Sequence, residues 1–93
     1  MGSKVTWNRG VDKTLTKIPS FIRDKFIAWA MVVERVGVSE VRKLSGYHDE
    51  PLKGTRKEQR SIRVNRAYRA IYIEYADGKI QIIEVIEVSK HEY

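Results

Sequence analysis

The sequence predicts an α+β domain, with an N-terminal strand and two to three helices packed on one face of an antiparallel sheet. Three observations carry this. Apolar residues recur at helical spacing as far as Leu44. After Arg60 the period drops to two. Asp77-Gly78 then separates two β-prone runs, as a hairpin turn does. The 93 residues form one domain, 1–93, small enough to bury only about 60–65% of its unfolded surface.

Val5 to Trp7 is short, apolar and β-prone, so a first strand is predicted at residues 4–8. Asn8-Arg9-Gly10 is a turn signal. Residues 11–17 form a short helix with Val11, Leu15 and Ile18 on one side. Pro19 suits the first turn of the next helix, where a missing N–H costs nothing. Ile22, Phe26, Trp29, Val33 and Val36 then form an amphipathic stripe, and Gly37 ends it. Trp29 on this stripe belongs to the core. Val38, Val41 and Leu44 predict a short third helix, stopped by Ser45-Gly46.

Residues 45–59 read as loop. Ser61 to Asn65 alternates as a half-buried strand does, and Asn65-Arg66 turns the chain. Arg69 to Tyr75 is the next strand. The Ile- and Val-rich run from Lys79 to Val88 is a central strand covered on both faces. The last three strands make a meander, and the first strand adds beside the last. Helices cover one face, and the other stays partly open.

Composition narrows the function. With 42% hydrophobic and 32% charged residues, wholesale disorder is excluded. The absence of cysteine excludes disulfides and thiolate metal sites, and suits a reducing cytoplasm. No apolar run approaches the roughly 18 residues that span a bilayer, so no membrane role is expected. Met1-Gly2-Ser3-Lys4-Val5-Thr6 formally fits a myristoylation pattern but reads as an ordinary N-terminus. No His/Asp/Glu cluster has metal-ligand spacing, and neither metal nor cofactor is expected.

The charge is concentrated. Arg42 to Arg69 holds nine Lys/Arg and three Asp/Glu, and the rest of the chain holds nine of each. The whole net charge of +6 therefore lies in 28 consecutive residues. Such a segment faces an anion, and nucleic acid is the obvious one.

Within and beyond this segment several residues carry chemistry. Arg60, Arg63, Arg66 and Arg69 recur every third residue, a spacing that a strand and turn distribute over both faces. Arg69 sits in the most β-prone run, where a charge either faces a ligand or pairs with Glu84 or Glu87 across the sheet. Glu50 precedes Pro51 and is either a general base or a surface charge. Lys53-Gly54-Thr55-Arg56-Lys57 is a phosphate-contacting or simply solvated basic loop without Walker spacing. His48 lies two residues before Glu50. In the tail, His91 exchanges protons near neutral pH, and nearby arginines would stabilise the anion of Tyr93.

Leu52-Lys53-Gly54, Arg56, Gln59, Ser61 to Asn65 and Tyr68-Arg69 resemble the core signature of HigB-like toxins of the RelE/ParE superfamily. Glu50-Pro51-Leu52 is similar to the segment carrying the catalytic glutamate in the YoeB branch, and the His91/Tyr93 ending to the C-termini of RelE and YoeB-like toxins. The sequence departs from the pattern at Glu58, Arg60 and the His-Glu-Tyr tail.

The resemblance implies a RelE-like fold and the toxin of a bacterial type II toxin–antitoxin pair. Such an mRNA interferase is a ribosome-dependent, metal-independent endoribonuclease that cuts translated mRNA in the A site by 2′-OH attack. Glu50, Arg69, His91 and Tyr93 would be catalytic, with acid and base left open. His48, Lys53, Arg56, Lys57, Arg60, Arg63 and Arg66 would hold RNA and ribosome. Expected partners are a cognate antitoxin, often a HigA-like helix-turn-helix protein, the ribosome and mRNA, and operator DNA for the toxin–antitoxin complex. A ParE-like gyrase inhibitor and a plain RNA-binding domain are the competing readings.

Overall fold

A computed structural model describes residues 3–90. Its elements run β1 (Ser3–Trp7), α1 (Arg9–Lys17), α2 (Ser20–Val36), α3 (Val38–Val41), β2 (Glu50–Pro51), β3 (Arg60–Arg63), β4 (Tyr68–Asp77) and β5 (Ile80–Lys90). The five strands form one sheet in the order β1-β5-β4-β3-β2. β1 runs parallel to β5, and all other pairs are antiparallel. This is the α+β architecture expected, with one strand more than the sequence suggested. The extra strand is β2, only two residues long, in a stretch whose charge and glycines read as loop.

Local chemistry explains the helix boundaries. Asn8 caps α1, its Oδ1 accepting from Val11 N at 2.9 Å, so the expected turn is the helix start. Pro19 is the cap residue before α2 rather than part of its first turn. Gly37 ends α2 at φ 89°, ψ 150°, a backbone state essentially reserved for glycine. Its N–H still reaches Val33 O at 2.8 Å.

The α2 stripe packs as expected through Val33: Ile22, Phe26, Trp29 and Val33 are each at most 1% exposed. Val36, the last residue of α2, is 53% exposed. α3 stops at Val41, and Leu44 lies outside the core at 51% exposed. Phe26 meets Trp7 edge-on, and Trp29 leans on Tyr72 at 5.6 Å.

The sheet presents two unlike faces. Val5, Trp7, Ile62, Ala70, Tyr72, Ile83, Val85 and Val88 point to the helices. In β4–β5 the pairs Ile71/Glu87 and Tyr72/Val85 are consecutive, so Ile86 is an extra residue and β5 bulges there. The bulge lets Val85 and Val88 both face the core although they are three residues apart. β5 is central as expected, between β1 and β4, but it is fully covered on the helix face alone, and its outward side chains are only half-buried. The outer edge of β1 is partly covered, because Glu34 Oε2 on α2 accepts from Val5 N at 2.9 Å.

Candidate active site

The face opposite the helices carries the site. Strand register puts Glu50 opposite Ser61, and Arg63 opposite Arg69. Side chains two apart share a face, so Glu50, Ser61, Arg63 and Arg69 all project away from the core. The turn joining β3 to β4 is closed by Asn65, whose Oδ1 accepts from Ala67 N at 2.9 Å and Tyr68 N at 2.8 Å. That turn brings Arg66 to the same end. A cavity of about 120 Å³ opens here, lined by His48, Glu50, Ser61, Ile62, Arg63, Asn65, Arg66, Tyr68 and Arg69. Three guanidinium groups therefore meet one carboxylate and one imidazole.

Arg69 is the most unusual member. Its Nε is buried and has no hydrogen-bond partner among the described residues. Neither Glu84 nor Glu87 forms an ion pair with it. Glu87 instead accepts from Ser89 Oγ at 2.9 Å and pairs with Arg56 at 3.6 Å. Directly across the strand pair stands Arg63, and like charges so placed repel. An anion between the two would satisfy both.

Other anticipated residues lie elsewhere. Arg56 is on the loop, its Nε donating to Gln59 Oε1 at 2.8 Å. Lys53 and Lys57 are exposed on the same loop. Lys57 lines a separate groove of about 780 Å³ along the free edge of β4. That groove is larger, but its Arg42 and Arg60 are already bound to Glu74 and Asp49. Arg60 faces the helices, not the cavity, because it sits three residues before Arg63 on a strand. His91 and Tyr93 lie outside the described residues.

One cluster was not anticipated. Asp49 has only 1% of its side chain exposed. Its Oδ1 accepts from Arg60 Nε at 2.6 Å and its Oδ2 from the Tyr72 hydroxyl at 2.6 Å. Arg42 Nη2 donates to the Tyr72 oxygen at 3.1 Å and to Glu74 Oε1 at 2.9 Å. Burial and the bond to Asp49 push the Tyr72 hydroxyl up to about 12. The available signal was alternation: in His48-Asp49-Glu50 the middle residue must face opposite to Glu50.

The sequence matches no protein-family model and no curated protein. Solved structures match over nearly the full length. A RelE–RelB complex from Pyrococcus horikoshii OT3 shares 22% identity at a TM-score of 0.70, covering 97% of this chain and 96% of that one. The chain has the RelE/ParE toxin fold. A RelBE2 toxin–antitoxin complex from Mycobacterium tuberculosis gives 0.68 at 18% identity, covering 98% of this chain and 100% of that one. A YoeB/ParE toxin from Agrobacterium tumefaciens gives 0.64 at 21%, covering 96% and 99%. On this RelE-like fold, the cavity occupies the face that the helices leave uncovered. No metal-binding group of three or more His, Asp or Glu occurs among the described residues. No helix among them is long and apolar enough to cross a membrane.

Proposed function

We propose that this RelE-fold chain is the toxin of a type II toxin–antitoxin pair and cuts ribosome-bound mRNA. The observation that supports it most is Arg69. A guanidinium whose buried Nε has no hydrogen-bond partner among the described residues stands across from Arg63, in a cavity that also holds Glu50 and His48. Phosphoryl transfer to a ribose 2′-OH needs this combination. A base removes the hydroxyl proton, and cations stabilise the charge on the pentacoordinate phosphate. Glu50, or His48 beside it, takes the base role. Arg69 binds the phosphoryl oxygens with Arg63. The oxygen attacks the adjacent phosphorus, the 5′ oxygen leaves, and a 2′,3′-cyclic phosphate remains. His91 and Tyr93 are proposed for protonating the leaving oxygen.

The basic loop of Lys53, Arg56 and Lys57 supplies salt-sensitive attraction to RNA. An antitoxin partner is supported by the RelE–RelB and RelBE2 complexes of the same fold, and the basic face is where we expect it to bind. Expression without an antitoxin tests the reading. Growth arrest with cuts inside translated mRNA is expected. Arrest with intact mRNA and poisoned gyrase would instead establish the ParE-like alternative.

A further inference from the structure

We propose that Asp49 is the positioning residue of this site, setting His48 and Glu50 into the cavity from the opposite face of the sheet. The proposal rests on the nuclease reading for its consequence, but not for its geometry.

β2 has only two paired residues, Glu50 with Ser61 and Pro51 with Arg60. So short a strand has little hold of its own. His48, next to it, sits at φ 46°, ψ 47°, the left-handed region that non-glycine residues seldom occupy. Such a conformation persists only where the surroundings over-determine it. The surroundings here are the bonds of Asp49. Arg60 grips it twice, through Oδ1 at 2.6 Å and through the main-chain oxygen at 3.4 Å. Tyr72, fully buried against Trp29, holds Oδ2. The chain of contact runs from the hydrophobic core through Tyr72 to Asp49 and so to the backbone of the cavity rim. With Asp49 fixed inward, Glu50 is turned outward by strand alternation. Arg60 joins the two levels, since the residue that grips Asp49 is also the strand partner of Pro51. No step of the reaction touches Asp49, which acts through its two neighbours.

Two variants test this in the full-length protein. Asp49→Asn removes the carboxylate, and Tyr72→Phe is the milder change should Asp49→Asn fail to fold. Misplacing a reacting group by about 1 Å costs up to about 100-fold. The expected result is a cleavage rate reduced at least about tenfold at saturating ribosomes, with the half-saturating concentration unchanged. In a His48→Ala/Glu50→Ala background the same variant should cost little more, because both residues it positions are gone.

Amide hydrogen exchange gives a second readout that needs no activity. Residues 48–52 should exchange faster by at least about tenfold more than β4–β5 amides, which report global stability. Exchange that rises equally everywhere, or full additivity with the His48→Ala/Glu50→Ala pair, overturns the proposal. A wild-type protein that cuts no RNA would sink the nuclease reading alone, and the exchange result would then decide the role of Asp49.

Discussion

Replacing Tyr72 by Phe isolates the hydroxyl that links the core to Asp49, and its cost follows from the bonds it makes. The variant keeps the ring beside Trp29 at 5.6 Å. It removes one donor from Asp49 Oδ2 and one acceptor from Arg42. Leaving a buried acceptor short of a partner costs about 1–3 kcal/mol. Asp49 keeps Arg60 and Arg42 keeps Glu74, so about 2 kcal/mol is reasonable. For a domain of this size that lowers Tm by roughly 8–16 °C.

The pH dependence fixes the mechanism. In the fold, Tyr72 ionises at about 12 instead of 10.0, chiefly because it is buried. A raised folded pKa stabilises below the unfolded value and loses that contribution as pH rises through the folded one. The interval from 10 to 12 corresponds to about 3 kcal/mol, of which about half is gone by pH 11. Thermal melts of wild type and Tyr72→Phe should therefore differ most below pH 10 and converge toward pH 12. A gap that is absent at neutral pH, or that widens with alkalinity, would refute the network account.

Other perturbations probe the rest of the molecule. Arg69→Ala should lose about 2.7–4 kcal/mol of transition-state stabilisation in a ribosome-programmed cleavage assay. The same variant should leave Tm unchanged or higher, because its guanidinium opposes Arg63. Gly37→Ala should cost about 1–3 kcal/mol in a chemical melt. The nearest atom to an added Cβ, Ser3 Oγ, is 3.9 Å away, so that loss would be backbone strain rather than a clash. Arg63→Gln should weaken binding to single-stranded RNA and lower the slope of log K against log salt by about 0.7, as one phosphate contact requires.

Much of this structure was legible in the residues. The α2 stripe declared its buried face through Val33, and Asp77-Gly78 its hairpin. Glu50, Arg63, Arg66, Arg69 and His48 were singled out by type and charge, and the fold brings these five to one cavity. Two things were hidden. The bulge at Ile86 lies in a run of Ile and Val where a change of face leaves no trace in polarity. The Asp49 network joins residues 42, 49, 60, 72 and 74, each of which looks in sequence like one more surface charge or strand tyrosine. Period-three spacing put Arg60 and Arg63 on opposite faces of a strand, but it did not say which of them would share a cavity with Arg69. Register decides that, and register is set by pairing partners far along the chain.

The central claim is that this face performs phosphoryl transfer on RNA held by a ribosome. Its most direct test is purified protein mixed with programmed ribosomes in the presence of a strong chelator of transition metals, followed by analysis of the new RNA ends. The expected result is cleavage only with ribosomes present, ends bearing 2′,3′-cyclic phosphate, and at least about 100-fold slower cutting by Arg69→Ala. Intact mRNA under these conditions, or cutting that Arg69→Ala leaves at the wild-type rate, would contradict it.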